Sequence, residues 1–164
     1  MKIKYIDLID QTYDFPQEEF VVKENSLLFH GIDLAQLINE HGAPLKLTYL
    51  PKIGDNIRRA KTWFMEAMQK HNYPGKYYYS YCTKSSHFRH VLSTVLKEKV
   101  HIETSSAFDI NIVEELKNEG KITDGTYVLC NGFKRDAYIQ NIARLINSGH
   151  SKCIPIIDNF EEIG

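Results

Sequence analysis

Lys84 ends an aromatic stretch, KYYYSYCTKSS at residues 76–86. A lysine at the end of a strand has one chemistry that other side chains lack. Its neutral amine adds to an aldehyde carbonyl and expels water, and partial burial favours that neutral form. Alternate residues of a strand share a face, so Tyr78, Ser80, Cys82 and Lys84 line up. The side chains shrink towards the lysine, which leaves a hollow that a flat ligand could fill. Further on, Glu103 to Ser106, Asn131-Gly132 and Asp158-Asn159 each close a short apolar run, so carboxylates, hydroxyls and an amide recur at equivalent places. On spacing alone the commoner case is a solvated lysine at a strand end.

The elements that must position these residues alternate. Strands are expected over 44–50, 77–84, 100–105, 126–131 and 153–159, and helices over 54–71, 87–99, 107–120 and 135–150. FEEIG at the end reads as the opening of one more helix. Strict alternation of strand and helix calls for an α/β fold with a parallel sheet, because parallel strands need crossover connections. Function in such folds gathers at the C-terminal ends of the strands. Two arrangements fit: an open doubly wound sheet, or part of a (β/α)8 (TIM) barrel. The chain stops as a helix pattern begins, so a fragment is expected. Residues 1–43 read as a separate N-terminal region: an arm over 1–16, a short hairpin around Glu24-Asn25, and a helix over 32–42 with Leu34, Leu37 and Ile38 on one face. Residues 44–164 form the repeating part.

Bulk properties exclude some classes. The 164 residues are 43% hydrophobic and 25% charged, and 20 basic against 21 acidic residues leave a net charge of −1. That balance lacks the basic excess of a nucleic-acid-binding surface. No membrane span or charged-then-apolar leader is apparent. Cys82, Cys130 and Cys153 are widely spaced in apolar stretches and read as reduced, buried thiols of a cytoplasmic protein, without a disulfide framework or zinc site.

Other candidates weigh less. His87 and His90 stand at i and i+3 but read as a helix surface rather than a metal site. His101 reads as a hydrogen-bonded strand residue rather than a stacking partner for a ligand. Lys134 and Arg135 could reach a phosphate, yet read as solvated residues at a helix start. The tyrosine run reads as packing. Ile57, Ala60, Phe64 and Met68 read as a core stripe.

A resemblance adds to this reading. YYYSYCTKSSHFRHVLSTV, then HIETSSAFDINIVEEL, then YVLCNGFK resemble the pyridoxal-phosphate-dependent basic amino acid decarboxylases of the alanine-racemase-like fold. In that family a strand ending in Ala-Val-Lys or a variant supplies the cofactor lysine, which Lys84 matches, with Cys82 as the small residue two before it. Glu103 matches the acid of the next strand, Ser106 the serine after it, and Asp109 the acid that opens the following helix. Asn131 and Lys134 match the end of the third strand. CNGFKRDAYIQNIARL is most similar to the biosynthetic arginine decarboxylase branch. The likeness covers roughly residues 40–160.

The resemblance implies a partial TIM barrel, the first half of one that a β-rich domain follows. It also implies pyridoxal 5'-phosphate as cofactor, and loss of carbon dioxide from a basic amino acid, arginine above lysine, ornithine or diaminopimelate. Lys84 is then the catalytic residue, and Cys82, Glu103, Ser106, Asp109 and Asn131 lie with it around the cofactor. The family's phosphate loop, its acidic partner of the pyridine nitrogen and its catalytic cysteine have no match here. The 164 residues alone are therefore expected to be inactive, and a full-length homo-oligomer is expected. A non-catalytic decarboxylase-like protein and an open α/β binding module remain alternatives. Consecutive strands paired side by side would favour the barrel over the module.

Overall fold

The computed structural model describes residues 19–24 and 26–163, which divide between Thr48 and Tyr49 into two compact units. The expected arm over 1–16, and Asn25 of the hairpin turn, lie outside the described residues.

In the first unit, β1 (Phe20–Lys23), β2 (Ser26–Phe29) and β3 (Ile32–Asp33) form an antiparallel sheet in the order β1-β2-β3. Lys23 pairs with Ser26, so a two-residue loop joins the first strands, and Glu24 takes the positive φ of 48° that such a loop favours. The expected hairpin is present. The helix α1 (Leu34–His41) starts later than the apolar pattern suggested, because Ile32 and Asp33 pair with β2. Asp33 then caps the helix: its Oδ1 accepts from the amides of Ala35 at 2.9 Å and Gln36 at 3.1 Å.

The second unit holds α2 (Leu50–Lys70), β4 (Ser80–Cys82), α3 (Arg89–Lys97), β5 (His101–Thr104), α4 (Ala107–Asn118), β6 (Val128–Cys130), α5 (Asp136–Asn147) and β7 (Cys153–Pro155), then a 3-10 turn at Phe160–Ile163. The four strands form one parallel sheet in the order β4-β5-β6-β7. The mixed α/β class and the alternation over this stretch are as expected. The strand expected at 44–50 is not there: residues 45–49 carry no ladder, and α2 begins at Leu50. Pro51 lies in the first turn of α2, where its missing N–H costs nothing, so Pro51 and Gly54 start this helix rather than separate it from a strand. Gly54 is also a close-approach site, since a Cβ there would stand 2.8 Å from the Glu98 carboxylate that pairs with Arg58.

The apolar faces explain the packing. Tyr81, Ile102, Val128, Cys130 and Cys153 project to the helix-covered side and meet Leu92, Ile110, Val113, Tyr138, Ile142 and Leu145. Ile57, Val91, Val95 and Val100 form an adjoining cluster with Tyr79 and Tyr81. Intervening residues project to the other side: Ser80, Cys82, His101, Glu103, Leu129 and Ile154 are half-buried or exposed. One sheet face is thus covered by helices while the other stays open among the described residues. The expected stripe on α2 is only partly a core: Ile57 is buried, but Phe64 is exposed and stacks on Tyr77 with centroids 4.3 Å apart.

Candidate functional site at the strand ends

β4 ends two residues before Lys84. Ser85 N–H donates to Cys82 C=O at 3.1 Å, so residues 82–85 form a turn with Lys84 in it. Strict alternation with Cys82 therefore stops before Lys84. Thr83, fully buried, anchors the turn: its N–H and Oγ1 both donate to Glu103 C=O, at 2.9 and 3.1 Å. Lys84 is exposed, and its ammonium makes no hydrogen bond or ion pair with the described residues. Cys82 pairs with Glu103 in register, which brings the lysine turn and Glu103 to neighbouring strand ends.

Glu103 is held from the next strand. Asn131 Nδ2 donates to Glu103 Oε1 at 3.0 Å, and the other carboxylate oxygen accepts nothing from the described residues. Asn131 is itself fixed by all its polar groups. Its N–H donates to Thr104 C=O at 2.9 Å, its Oδ1 accepts from Gly132 N–H at 2.9 Å, and its carbonyl accepts from Tyr138 OH at 3.2 Å. Tyr138 OH also bonds Thr104 Oγ1 at 2.8 Å. Burial drives the Tyr138 phenol far above its ordinary pKa, so it stays a neutral donor. Gly132 has φ +78°, and a Cβ there would lie 3.3 Å from Ser105 C=O. Glycine is what lets the loops after β5 and β6 close on each other.

Ser106 and Asp109 form a helix cap. Ser106 Oγ accepts from Asp109 N–H at 3.3 Å, while buried Asp109 Oδ2 accepts from Ser105 N–H at 2.9 Å and Ser105 Oγ at 3.3 Å. The donors and acceptors at the start of α4 therefore satisfy one another. The expected solvated Lys134 is a correction: it is 8% exposed. Its ammonium donates to Gly132 C=O at 2.6 Å and to Glu162 Oε2 at 3.2 Å. Desolvation of that amine requires a partner, which Glu162 supplies from 28 residues away. Arg135 is exposed at the N-cap of α5. Asp158, beyond the end of β7, contributes its N–H to Glu162 Oε2 at 2.9 Å.

At the opposite end of the open face, His101 Nδ1 accepts from Tyr127 N–H at 3.0 Å, as a hydrogen-bonded strand residue should. Burial pulls its pKa below the ordinary histidine value. His87 and His90 make ring contacts with Phe88. Among the described residues no three His, Cys, Asp or Glu side chains converge to hold a metal, and no helix is long and apolar enough to cross a membrane. A 710 Å³ groove beside α2 and a 190 Å³ cleft between α3 and α4 are lined by neither Lys84 nor Glu103. The residues that sequence reasoning missed are Tyr138, Thr104 and Glu162. Tyr138 was findable, since Tyr138, Ile142 and Leu145 share a helical face. Glu162 carried no local signal.

The fold and the site together define an α/β protein with a lysine unpaired among the described residues, in the turn after one parallel strand, and a held carboxylate on the next. No family model matches the chain. The resemblance read from the sequence is nevertheless borne out. The chain is 29% identical over 144 residues to a biosynthetic arginine decarboxylase of Gloeobacter violaceus, covering 83% of the chain and 21% of that relative. It is 25% identical over 142 residues to the Nostoc sp. biosynthetic arginine decarboxylase, covering 81% and 20%. It is 24% identical over 147 residues to biosynthetic arginine decarboxylase 2 of Synechocystis sp., covering 81% and 22%. The chain spans about a fifth of the length of these curated relatives.

Proposed function

We propose that this chain is the lysine-bearing, N-terminal part of the (β/α) barrel of a cytoplasmic pyridoxal-phosphate-dependent decarboxylase, with arginine as substrate and agmatine and carbon dioxide as products. The observation that carries this reading is Lys84, an exposed amine unpaired among the described residues, in a turn that Thr83 ties to the Glu103 backbone. The consecutive strand order with helices on one face supports a barrel arc over a doubly wound sheet. The names of the relatives support the decarboxylase class and arginine.

The donor set fits the reactive end of such a cofactor. Lys84 offers an exposed amine, where partial burial was expected, that makes no ion pair with the described residues, and Cys82 and Ser80 leave the open face beside the turn lightly filled. When bound, the cofactor supplies a pyridine ring that accepts the electron pair left as carbon dioxide departs. The chain's own residues position the lysine turn and the neighbouring carboxylate. Thr83 fixes the backbone of the turn that carries Lys84. Glu103 stands on the neighbouring strand, its backbone carbonyl holding the lysine turn and one carboxylate oxygen open among the described residues. Asn131 keeps one oxygen of Glu103 occupied, which fixes the direction of the other. Ser106, Asp109 and Lys134 spend their polar groups on the scaffold, so the phosphate would be held by parts of the barrel beyond this chain. These 164 residues alone are then inactive, and the full-length protein works as a homo-oligomer.

The test is reduction with borohydride after incubation of the full-length protein with pyridoxal phosphate, followed by peptide mapping. The adduct is expected on Lys84. An adduct spread over surface lysines, or concentrated on another one, refutes the reading. Release of carbon dioxide from arginine separates an enzyme from a non-catalytic relative.

A further inference from the structure

β6 and β7 bring two distant thiols into contact. Cys130 Sγ and Cys153 Sγ are 3.5 Å apart, although the residues are 23 apart in sequence. Val128 pairs with Cys153 and Cys130 with Pro155, so the cysteines stand diagonally on the same, helix-covered side of the sheet. Cys130 is fully buried, whereas Cys153 is 8% exposed and lies on β7, at the end of the strand order. Cys82 lies on the opposite face, in register with Glu103. Nothing in the proposed chemistry uses the pair.

We propose that Cys130 and Cys153 form a redox-active dithiol that a hydroperoxide converts to a disulfide. Diagonal neighbours on adjacent strands stand about 7–8 Å apart at Cα, the edge of what a disulfide spans. Closing the gap from 3.5 Å to a bond of about 2 Å therefore asks for side-chain rotation together with a small shift of β7 towards β6. The pair first loses one proton. The contact with Cys153 holds the Cys130 thiol below its ordinary pKa, so Cys130 is the sulfur that gives up that proton. The remaining proton crosses from Cys153 to Cys130 along their contact, leaving the reachable Cys153 sulfur as the thiolate. That sulfur gives an electron pair to one peroxide oxygen, the O–O bond breaks, and an alcohol leaves after taking up the proton first lost. The resulting sulfenic acid is attacked by the Cys130 sulfur, the S–O bond breaks, and water leaves. Two thiols and one hydroperoxide thus become one disulfide, one alcohol and one water. The bond ties β7 to β6, just before the segment whose Glu162 holds Lys134.

The test exposes the folded wild-type chain to a small excess of cumene hydroperoxide, then unfolds it in an alkylating agent and maps the cysteine peptides by mass. The expected product is a single Cys130–Cys153 linkage, lighter by two hydrogens and reversed by a dithiol reductant, with Cys82 alkylated. Cys153→Ser should remove the linkage without creating one between Cys82 and Cys130. Two outcomes overturn the proposal. In one, Cys130 and Cys153 are both alkylated at doses that oxidise Cys82. In the other, the linkage forms only after the chain is unfolded.

Discussion

Lys134 and Glu162 form an ion pair that the fold has closed off from solvent, with side chains 6% and 5% exposed. The amides of Asp158 and Lys134 hold the Glu162 carboxyl below its ordinary pKa, helped by the Lys134 ammonium. A carboxyl with a depressed folded pKa contributes stability that is present above its unfolded pKa of about 4.3 and is lost as the pH falls through the folded value. Wild-type urea midpoints should therefore drop on the acid side of about pH 4.3, and Glu162→Gln should flatten that part of the profile. At neutral pH, Glu162→Ala should destabilise more than the double variant Lys134→Met with Glu162→Leu. The single change strands a buried charge, whereas the double change removes both.

Lys84 has no partner to lose among the described residues. Lys84→Ala should leave thermal stability within about 0.5 kcal/mol of wild type, as for an exposed side chain without a special role. In the full-length protein the same change should abolish turnover and the borohydride-trapped adduct. A large loss of stability, measured by urea titration, would show that the turn needs the side chain after all.

Gly132 occupies the left-handed region, at φ +78°, against the backbone of Ser105. Gly132→Ala should cost about 1–2 kcal/mol from the positive φ, more if Ser105 cannot give way. Because Gly132 N–H holds Asn131 Oδ1, nuclear magnetic resonance shifts of the Asn131 side-chain amide should move as well. An unchanged amide with unchanged stability would count against the close approach of the two loops.

Tyr138 is the third support. Tyr138→Phe should cost about 1 kcal/mol by leaving Thr104 Oγ1 and Asn131 C=O short of a partner. Its phenol titrates higher in the folded state than unfolded, so its contribution is complete below about pH 10 and is lost as the pH rises towards the folded value. The alkaline limb of the stability curve should therefore be shallower in Tyr138→Phe than in wild type.

Much of this fold was legible before any coordinates. The apolar runs before Lys84, Glu103, Asn131 and Asp158 mark four strands, and the segments between them read as helices. The strand expected at 44–50 was misread because LKLTYL has strand composition whether or not a partner exists. A ladder needs a neighbour, and among the described residues β4 pairs only with β5. Lys84 reads from the sequence as the last residue of a strand over 77–84, whereas β4 covers only Ser80–Cys82. The turn that lifts Lys84 out of alternation depends on Thr83 bonding Glu103 across strands. Lys134 was misread as solvated because lysine is seldom buried, and its burial follows from a carboxylate in a segment that showed only a helix start.

The order of strands and helices, the apolar face of each element and the position of one lysine after a strand are properties of short stretches of sequence. Periods of two and 3.6 residues are written locally and survive without knowledge of the rest. Which side chains meet is another matter. Asn131 reaches Glu103, Glu162 reaches Lys134 and Cys153 reaches Cys130 across 28, 28 and 23 residues. Those meetings depend on strand register and on how the loops close over the rim, so only the assembled tertiary structure decided them.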